Sequence, residues 1–109
     1  MRERLGFLFY NLSKRVLKEG VPFLGICVGL QLLADYGHEN VINTPGLGWL
    51  GGEVTKIYSE NKKTKIPHMG WNSLIFDKEH PLTNKLTSED DMYFVHSYHM
   101  KLKDIRDRL

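Results

Sequence analysis

One motif constrains this chain more than any other feature. In Pro22-Phe-Leu-Gly25-Ile-Cys27-Val-Gly29-Leu-Gln31 the single cysteine lies between two glycines, where an apolar run gives way to a helical pattern. Upstream, residues 21–26 lack polar alternation, as in a strand buried on both faces of a parallel sheet. Downstream, residues 28–36 read as a helix stopped by Gly37. Strand, G-x-C-x-G and helix in that order form the cysteine counterpart of the nucleophile elbow. A side chain at the apex of such a turn stands clear of the sheet, within reach of a substrate. The backbone there is crowded, so Gly25 and Gly29 are both expected to be required for their missing Cβ atoms. The start of a helix favours the thiolate, the reactive form of Cys27, through its dipole and free N–H groups. The N–H of Val28 is placed to meet an oxyanion. A lone cysteine is more often a small buried apolar residue, but the glycines and the strand-to-helix switch favour the nucleophile.

The remaining pattern predicts an α/β layered domain. Residues 3–18 repeat Leu5, Leu8, Phe9, Leu12, Val16 and Leu17 at helical intervals, with Gly20 as cap and Pro22 as stop. The apolar stripe of that helix is expected to pack on a neighbour. Residues 38–52, rich in Gly, Asn and Pro, read as loop, and residues 53–58 and 65–76 read as strands separated by a turn over 59–64. Residues 77–91 are polar loop, 92–97 a last strand, and 100–109 a charged tail.

Composition narrows the function classes. At 109 residues the chain supports one modest core, and 41% hydrophobic with 26% charged residues suits a globular domain. A net charge of +2 with scattered basic residues leaves no nucleic-acid footprint. The longest uncharged stretch, residues 20–34, falls short of the roughly 20 residues a spanning helix needs, so no membrane partner is expected. One cysteine and no signal-peptide layout point to the cytoplasm. The five histidines are dispersed, and His96 and His99 point to opposite faces of a strand, so no metal or cofactor is expected. Gly46-x-Gly48-x-x-Gly51 matches a dinucleotide fingerprint by letter, but a strand pattern follows it where a helix is required.

Two further blocks, Ile66-Pro-His-Met-Gly-Trp-Asn72 and Tyr93-Phe-Val-His-Ser-Tyr98, complete a recognisable series. With the cysteine elbow and Gly46-Leu-Gly48-Trp-Leu-Gly51-Gly-Glu-Val54, they resemble the class I (triad-type) glutamine amidotransferases. Within these, the likeness is to the glutaminase subunits of imidazole glycerol phosphate synthases, over about Arg4 to Tyr98. The resemblance implies a flavodoxin-like domain with a central, mostly parallel sheet flanked by helices, filling residues 1–109 as a single incomplete unit. It implies Cys27 as nucleophile towards glutamine, Val28 as oxyanion donor, and Gln31, Ser97 and Tyr98 as substrate contacts. His96 is expected to be structural rather than the catalytic base. Met69, Trp71 and Asn72 are implied to contact a cyclase subunit with a (β/α)8 barrel, forming a heterodimer.

The family's catalytic histidine and glutamate lie in an H-P-E motif beyond the block ending at Tyr98, and Leu109 precedes any such motif. His80-Pro81 carries Leu82 in place of the acid and falls too early in the order. The expectation is therefore a chain incomplete at both ends and without glutaminase activity alone. Two alternatives accompany it: a non-catalytic remnant that binds a partner, and an amidotransferase serving the modification of surface-polysaccharide sugars. The segment from Gly37 to Pro45 departs from the acidic loop usual in the histidine pathway, which motivates the second.

Overall fold

The structure is a computed structural model that describes residues 2–40, 42–60 and 64–109. Helix α1 (Arg2–Ser13) continues into π-helical turns over Lys14–Lys18, matching the predicted helix, and Gly20 follows at φ +69°. The side chain of Leu5 and turn residues 61–63 lie outside the described part. The expected packing of the apolar stripe is not found: Leu8, Phe9 and Leu17 are exposed, as are Phe7 and Tyr10.

Residues 21–26 do not form the predicted buried strand. A strand needs a neighbour to take up its backbone groups, and none of the described strands runs beside this segment. Instead, the Val21 N–H turns back to the Arg15 carbonyl at 3.0 Å, and Ile26 is 74% exposed. The following helix, α2 (Val28–Gln31), is also shorter than predicted. The carbonyls of Leu32, Leu33 and Ala34, which a longer helix would use internally, accept instead from the loop after Pro45. Leu47 N–H donates to Leu32, Trp49 and Leu50 N–H to Leu33, and Gly48 N–H to Ala34, at 2.7–3.0 Å. The chain therefore leaves the helix at once.

Strands β1 (Tyr36–Asn40) and β2 (Ile42–Pro45) occupy the stretch expected to be loop, and form an antiparallel pair. Strong turn formers depress strand propensity here, yet β1 gains a second neighbour in β3 (Gly52–Lys56), to which it runs parallel. Strands β4 (His68–Ser73) and β5 (Asp91–His96) form a separate two-stranded sheet, where strands were predicted. The charged tail proves to begin with β6 (Tyr98–Leu102), which pairs antiparallel with β3 from Gly52↔Leu102 to Lys56↔Tyr98. Its alternation is visible in burial: Met100 and Leu102 are half-buried, His99 and Lys101 exposed.

The larger sheet has the order β2-β1-β3-β6. The chain is α/β and a partial domain, but its described sheet is mixed: only β1 with β3 is parallel, while the other pairings are antiparallel. The core is small. Among the described residues only Ala34 (0% exposed), just after α2, and Val54 (3%), on β3, are buried apolar side chains.

Candidate active site

The elbow is built from backbone contacts. Cys27 has φ +55° and ψ −117°, and it is the one non-glycine residue with positive φ among the described residues. Such a conformation costs about 1–3 kcal/mol and tends to persist where a site requires it. Gly29 N–H donates to the Ile26 carbonyl at 2.9 Å, and Leu30 and Gln31 N–H both donate to the Cys27 carbonyl at 3.0 and 3.2 Å. The carbonyl of Cys27 thus starts α2 while its thiol is exposed. No hydrogen bond of the described residues engages the Val28 N–H. Gln31 sits half-buried one turn further on.

The two glycines are not equivalent, contrary to expectation. A Cβ on Gly25 would lie 2.7 Å from the Gly29 carbonyl oxygen and 2.9 Å from the Leu30 nitrogen, closer than atoms can approach. A Cβ on Gly29 would meet nothing within 4 Å, because it points away from the turn. The helix-dipole argument for the thiolate is also reduced, since α2 is a single turn and few peptide dipoles align in it. The loop after Pro45 braces the elbow from behind through its bonds to residues 32–34 and an edge-on contact of Trp49 with Phe23, centroids 5.3 Å apart. That loop contains the G-x-G-x-x-G letters and leads into β3, not into a helix.

Ser97 and Tyr98 form the corner between β5 and β6. The Ser97 carbonyl accepts from Ile57 N–H at 2.8 Å, and the Tyr98 hydroxyl donates to the Glu39 carbonyl at 3.2 Å. Among the described residues no hydrogen bond or ring contact joins Cys27, Val28 or Gln31 to this corner, so the expected glutamine contacts stand on two separate elements.

The β4–β5 ribbon has two distinct faces. Met69 pairs with Val95 and Trp71 with Tyr93 on one side, all four exposed, with the Trp71 and Tyr93 rings edge to face at 5.6 Å. Tyr93 and Val95 were missed from sequence, although their spacing of two opposite Met69 and Trp71 carried the signal. Asn72 falls on the other side, where its Nδ2 donates to His68 Nε2 at 3.3 Å.

Every histidine has a partner elsewhere than the thiol. His38 meets Glu53 at 2.5 Å across β1 and β3, and His99 meets Thr55 at 3.4 Å. His80 Nδ1 accepts from Leu82 N–H at 3.1 Å, which is a local turn. His68 and His96 contact each other at 2.9 Å, and His96 Nδ1 bonds the Tyr98 carbonyl at 2.8 Å. None is placed as the base of Cys27.

The description glutamine amidotransferase class-I matches residues 8–109, nearly the whole chain. This chain belongs to that family. It is 47% identical over 102 residues to the imidazole glycerol phosphate synthase subunit HisH of Ruegeria pomeroyi, covering 94% of this chain and 48% of that protein. It is 42% identical over 104 residues to the subunit of the same name from Cereibacter sphaeroides, covering 95% and 49%. The Rhodospirillum rubrum subunit is 50% identical over 99 residues, covering 90% and 46%. The chain thus spans about half the length of the curated relatives it matches. None of its described helices is long and apolar enough to cross a membrane.

Proposed function

We propose that this chain carries the nucleophile-elbow part of a cytoplasmic glutaminase subunit of imidazole glycerol phosphate synthase, which hydrolyses glutamine and supplies ammonia to a cyclase subunit. The observation that carries the reading is the exposed thiol of Cys27, held at positive φ where Gly25 passes against the first turn of α2. The names of the similar subunits favour the histidine pathway over sugar modification.

In the proposed reaction the Cys27 thiolate adds to the amide carbon of glutamine. The carbonyl electrons move onto oxygen, where the Val28 N–H is free to donate. Collapse forms the thioester and releases ammonia once its nitrogen has taken up a proton. Water then attacks the thioester, giving the glutamate carboxylate, the regenerated thiolate and two protons, one of which replaces the proton that left with ammonia. Gln31, Ser97 and Tyr98 hold the substrate in this reading. The proton carrier belongs to the family's histidine and glutamate, for which no residue described here is placed.

The outer face of β4 and β5 supports a heterodimer with the (β/α)8 cyclase. Its Trp71 and Tyr93 rings are the type of anchor that dominates protein interfaces, and Met69 and Val95 extend the apolar area beside them. Mixing the chain with a cyclase barrel and titrating by calorimetry tests this. Association is expected, weakened at least about tenfold by Trp71→Ala. Equal binding by the Trp71→Ala variant contradicts the assignment of this face.

A further inference from the structure

The inner face of the β4–β5 ribbon carries an arrangement that the proposed reaction does not use. His68 and His96 lie directly opposite each other in the strand register. Asn72 Nδ2 reaches His68 Nε2 at 3.3 Å, His68 Nδ1 reaches His96 Nε2 at 2.9 Å, and His96 Nδ1 reaches the Tyr98 carbonyl at 2.8 Å. Phe94 stacks on His68 with centroids 5.0 Å apart and interplanar angle 26°, fixing the ring plane.

The direction of every proton in this series follows from its two ends. Ser73 N–H donates to Asn72 Oδ1 at 3.1 Å, which leaves the Asn72 amide nitrogen, a donor only, towards His68. His68 Nε2 must then accept, so the neutral ring carries its hydrogen on Nδ1 and donates to His96 Nε2. His96 in turn carries its hydrogen on Nδ1 and donates to the Tyr98 carbonyl, an acceptor only. The same answer results from starting at Tyr98. Each ring uses one donor and one acceptor, and none is left over.

We propose that His68 and His96 are positioning residues, a one-way relay of two neutral imidazoles that holds the Ser97–Tyr98 corner from the strand behind the Trp71 face. Both carbonyls of the corner are thereby tied inward, Ser97 to Ile57 N–H and Tyr98 to His96. A ligand held by this corner meets a preset backbone, and displacement of β4 passes to it through two rings. The consequence for glutamine rests on the reading of the corner as its binding site; the relay does not.

Long-range proton–nitrogen correlation spectra of the chain read the tautomers directly. Both His68 and His96 are expected as the Nδ1–H form, the reverse of the form free histidine prefers. An Nε2–H form at either ring overturns the relay. Glutamine affinity, followed by the backbone shifts of Ser97 and Tyr98, gives the second readout. His96→Leu should weaken it about tenfold, the effect of losing roughly one half-buried hydrogen bond. His96→Gln should restore it to within about threefold, since its carbonyl can accept from His68 while its amide donates to Tyr98. Binding by His96→Leu as tight as that of the unaltered chain overturns the positioning role. Nδ1–H tautomers in a chain that does not bind glutamine support the relay and count against the glutamine reading alone.

Discussion

At Cys27 local preference and proposed function oppose each other. A glycine would adopt φ +55° freely, whereas cysteine holds it at a cost. Cys27→Gly is therefore expected to raise unfolding stability by about 1 kcal/mol, while Cys27→Ala gives no such gain; denaturant titration distinguishes them. The flanking glycines make a second contrast. Gly25→Ala should destabilise by about 1–3 kcal/mol, because its methyl group would collide with backbone that cannot rotate away. Gly29→Ala should be neutral or stabilise by up to about 1 kcal/mol, since it meets open space in a helix. The pair looks symmetric in the letters G-x-C-x-G. Only the path of the turn shows that Gly25 faces the Gly29 carbonyl while Gly29 faces away. What was legible was that one apex residue had crowded neighbours; which neighbour was not.

At the scale of elements, periodicity served well where an element makes its own pattern and poorly where a partner decides. The first helix and strands β3, β4 and β5 lie where alternation or helical recurrence placed them. Strand β6 alternates through Met100 and Leu102, but its lysines and histidine made it read as tail until β3 is seen beside it. Residues 21–26 show the opposite error, an apolar run whose strand character depends on neighbours not among the described strands. After β6, the 3₁₀ helix Ile105–Asp107 is capped by Asp104, whose carboxylate accepts from the Arg106 backbone N–H at 2.9 Å and pairs with its guanidinium. Hydrogen bonds from the Arg106 side chain, then from its backbone N–H, hold the Asp104 carboxyl below its usual range. A depressed folded value means that the clasp is present above the ordinary aspartate pKa and is lost as pH falls through the lowered one. Carbon-detected titration should place the Asp104 midpoint below that of an unpaired aspartate, and Arg106→Ala should raise it only part of the way, because the backbone N–H of residue 106 still donates.

For the molecule as a whole, the core is thin: Ala34 and Val54 are the only buried apolar side chains among the described residues, in a chain that spans about half the length of its curated relatives. The histidines are all engaged, with Glu53, Thr55, Leu82, Tyr98 or each other, and none meets Cys27. The isolated chain is therefore expected to release no more ammonia from glutamine than its Cys27→Ala variant, as a coupled ammonia assay would show. Reactivity of the thiol is a separate matter from turnover, since it needs the exposed Cys27 at its turn but no catalytic base. The direct measurement is mass spectrometry after exposure to an electrophilic glutamine analogue, such as a chloroketone bearing the same α-amino and α-carboxylate groups. A single adduct on Cys27 that excess glutamine suppresses is expected. A thiol left unmodified, or modified equally with and without glutamine, contradicts it.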